Sequence, residues 1–192
     1  MTRTFIALEL DASQQRFLGN IIRQGKQILP DLRWVDPQGV HLTLAFLGEL
    51  DDMQLAKARA ATQYAATQAN PFTYRLSGLG TFGPPRSPRV LWMGISEPSA
   101  MLNGVHRALT LALEEQGFTT EKRPFSPHLT LARIKTPLNT EQLQLLQQLL
   151  SRYQFASPDY HVTHLYLMKS ELAPTGARYS CLQACPFQVI LP

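Results

Sequence analysis

The sequence predicts an α+β protein made of two pseudo-symmetric lobes of antiparallel β-sheet flanked by helices, with a central cleft between them. Three observations carry that expectation. Strand-like and helix-like segments follow one another along 192 residues in two halves of similar grammar. The run His-Leu-Thr-Leu-Ala occurs once in each half, at residues 41–45 and 128–132. No linker or low-complexity segment divides the chain, so residues 1–192 are expected to form a single two-lobed domain. A hydrophobic content of 44% against 17% charged residues is enough to bury a core, which excludes a disordered chain.

The elements follow in order. "TFIALEL" (4–10) alternates and is rich in β-formers, hence a strand. Residues 11–29 place Phe17, Leu18, Ile21, Ile22 and Ile28 at helical spacing, with Asp11 or Ser13 as the cap and Pro30 as the stop. "RWVDPQG" reads as a loop that delivers the chain to "VHLTLAFL", a strand. Residues 51–69 are alanine-rich and led by acids, hence a second helix. Residues 72–82 and 89–95 are strands joined by the turn "GPPRSP", whose Arg86 and Arg89 read as exposed loop residues. A third helix spans 99–117 and ends at Gly117. Residues 124–134 form the second motif strand, 139–153 a fourth helix, and "YHVTHLYLMKSEL", "ARYSCLQ" and "PFQVILP" three closing strands.

Bulk chemistry narrows the function. A formal charge of +4 favours anionic partners such as nucleic acid. No apolar run approaches the ~20 residues of a membrane span, and Glu9 and Asp11 interrupt the N-terminal apolar stretch too early for a signal peptide. The expectation is therefore a cytoplasmic protein with no membrane partner. Cys181 and Cys185 are too few for a disulfide framework, and no His-x-His or Cys-x-x-Cys pair occurs, so a structural zinc site is not expected.

In a strand, residues i and i+2 share a face. Within each HLTLA run the leucines therefore turn one way, into the core, while His41 with Thr43, and His128 with Thr130, turn the other. Two such strands facing one cleft would supply two imidazoles and two hydroxyls. That set suits phosphodiester chemistry. One imidazole takes a proton from attacking water, the other gives one to the departing oxygen, and the hydroxyls hold the non-bridging oxygens. A single His-x-Thr means little: with 15 threonines and five histidines, chance supplies roughly 0.4 such pairs. A third pair, His161 and Thr163, lacks the surrounding letters and is read as structural. Packing explains two repeated leucine pairs, but gives no reason to repeat the imidazole and hydroxyl opposite them.

With "VHLTLAFLGEL", "KRPFSPHLTLARI", "FIALEL" and "LYLMKSELAPTGARY" in place, the chain resembles the two-histidine phosphoesterases. Within them it is most similar to the bacterial and archaeal RNA 2′,3′-cyclic phosphodiesterases, historically called 2′-5′ RNA ligases. The resemblance implies a basic central groove and hydrolysis of RNA-terminal 2′,3′-cyclic phosphate to a 2′-phosphate, without metal or nucleotide cofactor. It implies His41 as general acid, His128 as general base, and Thr43, Thr130 and Arg133 as phosphate-binding residues. Arg133 stands an odd number of places after His128, so a bend must redirect it to the same face. Phe46, in the mirrored position after His41, is a candidate for stacking on a nucleobase. The expected partners are RNA ends or nucleotides bearing a 2′,3′-cyclic phosphate, met by a monomer. Two other readings use the same residues: ATP-independent 2′-5′ joining of RNA ends, and a non-catalytic nucleotide- or RNA-binding module.

Overall fold

Apolar residues at every second position make strands, and apolar residues at helical spacing behind a capping side chain make helices. In chain order these are β1 (Thr2–Glu9), α1 (Ala12–Ile28), β2 (Arg33–Trp34), β3 (His41–Leu50), α2 (Asp52–Thr67), β4 (Phe72–Phe82), β5 (Val90–Ser96), α3 (Ser99–Glu115), β6 (His128–Arg133), α4 (Thr140–Arg152), β7 (Tyr160–Val162), β8 (His164–Ala173) and β9 (Gly176–Pro186). They come from a computed structural model that describes residues 1–96, 99–153, 157–173 and 176–188.

The helix starts are written in the sequence. Asp11, Asp51 and Asn139 each accept the backbone N–H of a glutamine three residues on, and Gln14, Gln54 and Gln142 each return a side-chain bond to the cap's own N–H. Losing such a cap costs typically ~1 kcal/mol. Asp11 is thus the α1 cap, and Ser13 donates to it. Gln14 does more. Its amide donates to the buried Tyr74 hydroxyl at 2.6 Å, tying α1 to β4.

The strands form a single antiparallel sheet in the order β7-β4-β5-β6-β3-β1-β8-β9, with β2 attached to β6. The order reads as two four-strand halves meeting at β6 and β3, the two HLTLA strands. One half, β4 to β7, is a continuous stretch of chain, whereas the other joins β1 and β3 from the start of the chain to β8 and β9 from its end, through the β1–β8 pairing. The half built on β3 is therefore closed only when the last two strands return to β1. One sheet face carries the main core, where Leu42, Leu129 and Leu131 are wholly buried; each such leucine contributes about 1.5–3 kcal/mol. Helix α2 packs against α3, β8 and β9, and α4 against β4.

Three sequence expectations change. Arg33–Trp34 is a short strand rather than loop, because Trp34 is held in place. Its indole N–H donates to the Leu29 carbonyl at 2.9 Å, and the ring lies where a Cβ on Gly25 would come within 2.0 Å of it. "YHVTHLYLMKSEL" is two strands, broken at Thr163. β7 pairs with β4 at the far edge of one half, while β8 crosses to β1 in the other. The strand expected over "PFQVILP" is absent where described: Pro186 ends β9, Phe187 and Gln188 are not in a strand, and 189–192 lie outside the described residues.

Candidate active site

Strands β3 and β6 are paired at Leu42 and Leu129. Continuing that antiparallel register sets His41 opposite Thr130 and Thr43 opposite His128, all four on the face away from the leucines. The two histidines are then diagonal neighbours, with backbones about 7–8 Å apart.

Both rings are oriented alike. His41 Nδ1 lies 2.9 Å from the Gly39 carbonyl, and His128 Nδ1 lies 2.8 Å from the Ser126 carbonyl. A carbonyl can only accept, so Nδ1 carries the proton in each and Nε2 is left for chemistry. The supporting carbonyl sits two residues before the histidine in both repeats.

The odd offset of Arg133 has its explanation in a β-bulge. Ile6 and Ala7 are consecutive on β1 but pair with Ala45 and Thr43, leaving Leu44 as an extra residue. Leu91 and Trp92 on β5 likewise pair with Ala132 and Thr130, leaving Leu131 extra. The bulge falls at the same letter of both motifs. One inserted residue flips the alternation, so Phe46 and Arg133 rejoin the His/Thr face. Phe46 pairs with Phe5, whose ring packs on His41 at 4.5 Å between centroids, and Arg133 pairs with Val90, two residues from Trp92. Phe46 is 55% exposed, so it is not a core residue. The Arg3 guanidinium lies 4.8 Å over its ring. Arg133 is exposed too.

Around these matched parts the two halves differ. His41 leans on Phe5 and meets Tyr179 edge-on at 4.8 Å. Burial pushes its pKa below the ordinary imidazole range, partly countered by the Gly39 carbonyl. Glu9 is its partner across the β1 ladder, and its carboxyl is raised by burial. His128 meets Phe82 edge-on at 4.7 Å, and its cross-strand partner is Gly94. Trp92 lies across Gly80, where a Cβ would come within 2.2 Å of the indole.

Sequence reasoning missed several supporting residues. Gly39 and Ser126 act through backbone carbonyls and leave no side-chain signal. Phe5, Tyr179 and Phe82 reach the histidines from strands far away in sequence. His106 of α3 stacks flat on Phe125 at 3.9 Å and meets the carbonyl of Leu44, the bulged residue. Its pKa is lowered by burial, against that carbonyl's pull. The third His-x-Thr pair stays apart from the others. His161 is exposed opposite Thr73, and the Thr163 hydroxyl bonds to His164. Arg86 and Arg89 are exposed at the β4–β5 turn. Among the described residues, no three His, Cys, Asp or Glu side chains converge so as to hold a metal ion, and no helix is long and apolar enough to cross a membrane.

Residues 22–173 match the family model described as the 2′-5′ RNA ligase superfamily. The chain is 32% identical over 185 residues to an RNA 2′,3′-cyclic phosphodiesterase of Geobacillus stearothermophilus, covering 95% of this chain but only 56% of that one. It is 29% identical to a protein of the same name from Methanothermobacter thermautotrophicus, covering 94% and 96% of the two chains. Among solved structures it is similar to a protein of Thermus thermophilus (TM-score 0.78, 26% identity, 96% and 97% covered). It is also similar to E. coli LigT complexed with 3′-AMP (TM-score 0.73, 26% identity, 98% and 99% covered).

Proposed function

The chain belongs to the 2′-5′ RNA ligase superfamily, and from that premise we propose that it hydrolyses the terminal 2′,3′-cyclic phosphate of RNA to a 2′-phosphate. The observation that carries this reading is the pairing of the two HLTLA strands at Leu42 and Leu129. On this reading one phosphoryl group lies between the two imidazoles, with a hydroxyl beside each.

The chemistry runs at the two Nε2 atoms. Neutral His128 takes a proton from water as the water oxygen bonds to phosphorus. His41, protonated, gives its Nε2 proton to the 3′ oxygen as the P–O3′ bond breaks. The phosphate stays on the 2′ oxygen, and the base and acid have exchanged protonation states. Thr43 and Thr130 donate to the non-bridging oxygens where charge develops, and the Arg133 guanidinium offers a fork suited to the same group. Phe46 supplies an aromatic face for the terminal base, worth ~1–3 kcal/mol. The burial that lowers the His41 pKa opposes its protonation in the free protein. A bound anionic phosphodiester reverses that, because a nearby negative charge favours imidazolium.

Both motifs lie on one chain, which supports a monomer as the working unit. The two free cysteines are consistent with the cytoplasm: Cys181 is exposed and Cys185 is buried in the core. The relatives' shared name favours hydrolysis over joining of RNA ends. The test is to incubate a nucleoside 2′,3′-cyclic phosphate with the protein in excess chelator and identify the product. A 2′-phosphate is expected. A 3′-phosphate means the other ester bond is cut, and tight binding without cleavage returns the protein to the binding-module reading.

A further inference from the structure

Beyond the paired position at Leu42 and Leu129, β6 is accompanied on the β3 side by β2. There Trp34 pairs with Ala132, and Arg33 pairs directly with Arg133. Directly opposed residues share a face, and the bulge at Leu131 has already brought Arg133 onto the face of His128 and Thr130. Arg33 therefore stands on that face as well, one strand further out.

Two like charges directly opposite one another destabilise a ladder. No described carboxylate offsets them here. Among the described residues, the ion pairs are Arg75 with Asp159, Arg123 with Glu121, and Lys169 with Glu171. The acids nearest in sequence are engaged elsewhere. Asp36 accepts the Gln38 N–H at 3.0 Å, and Asp31 accepts the Gln142 amide at 3.2 Å. Nor can the backbone of Arg33 drift to separate the charges. Trp34 is locked over Gly25 and bonded to Leu29, and the Val35 N–H donates to the Leu131 carbonyl at 2.9 Å. The fold sets two exposed arginines directly opposite one another on the face of the candidate site, a placement suited to an anion.

We propose that Arg33, one strand out from the Arg133 that serves the reacting phosphate, forms a second phosphate site that binds the phosphodiester on the 5′ side of the terminal nucleotide. The inference rests on the function proposed above and adds to it a contact with the linkage that precedes the terminal nucleotide. In that reading the reacting phosphate already has His41, Thr43, His128, Thr130 and Arg133. The other anion that an RNA end carries covalently is the linkage to the preceding nucleotide, and a mononucleotide lacks it.

The test reads binding rather than turnover, on the full chain. Dissociation constants are measured across a salt series for a short single-stranded oligoribonucleotide ending in a 2′-phosphate, and for a nucleoside 2′-phosphate. In Arg33→Gln the preference for the oligonucleotide should fall roughly tenfold, and its salt slope should shrink by about 0.7, the share of one phosphate contact on a single strand. Arg33→Lys should fall between, keeping charge but losing the fork. An unchanged preference and slope in Arg33→Gln overturns the site. If Arg33→Gln fails to fold, the lysine variant decides: a reduced preference supports the site and an unchanged one overturns it. The two readings fail separately. A wild-type protein that cleaves no cyclic phosphate, yet binds oligonucleotide through Arg33, sinks only the hydrolase reading. An active enzyme whose preference ignores Arg33 sinks only this one.

Discussion

The two HLTLA strands share five residues, a bulge at the same leucine and a carbonyl behind each imidazole, yet their surroundings are not copies. Around β3 the histidine is half-buried against Phe5 and Tyr179 and faces Glu9 across the ladder, and the strand leads on to exposed Phe46. Around β6 the histidine meets Phe82, faces Gly94, and its strand leads on to Arg133. Even the bulge carbonyls are satisfied differently: Leu131 by the backbone N–H of Val35, Leu44 by the ring of His106. The comparison teaches a division of labour. What is repeated sets the positions of two imidazoles, and what is not repeated gives them unlike surroundings, with Phe46 after one and Arg133 after the other.

The hardest blow to that comparison comes from the histidines. His41→Ala and His128→Ala should each lower turnover of a cyclic nucleotide by roughly 10²–10⁴ while the melting temperature nearly holds, since both rings lie on the face opposite the main core. Near-normal activity in either variant breaks the pairing of the two strands into one site.

A smaller effect should separate Phe46 from Arg133. Phe46→Ala removes a stacking face and should weaken binding of an RNA end by ~1–3 kcal/mol, read mainly in KM. Arg133→Lys keeps the charge but loses the fork, so kcat should suffer more than KM. If the two variants show the same kcat and KM pattern, Phe46 and Arg133 do not serve distinct parts of the substrate.

The smallest effect concerns pH. His41 is less readily protonated folded than unfolded, so below the ordinary 6.5 the unfolded chain binds more protons. Its neutral burial is therefore harmless at higher pH and costs stability progressively as pH falls below 6.5 towards the lowered folded value. His106 acts in the same direction. His41→Gln should flatten part of that acid loss in urea titrations. In kinetics, the high-pH limb of kcat/KM, which reports the free protein, should lie below that of kcat, where bound phosphate has raised the donor's pKa. The two limbs coinciding would mean that burial of His41 does not distinguish the proton carriers.

The sequence by itself determined the elements and the chemistry each motif presents, because both are local. Alternation within a strand puts His41 with Thr43 and His128 with Thr130, and an Asp or Asn three places before Gln starts a helix. The odd offset of Arg133 even announced that a bend was needed. Only the tertiary structure decided that β3 and β6 are neighbours, that the bend is a bulge at Leu131 with a twin at Leu44, and that Phe46 lies exposed. It also decided which aromatic rings bury His41 and that Arg33 stands opposite Arg133. Those outcomes depend on pairing register between segments far apart in the chain, where a slip of one residue turns every side chain to the other face. No local pattern of letters fixes that register; the packing of the whole sheet does.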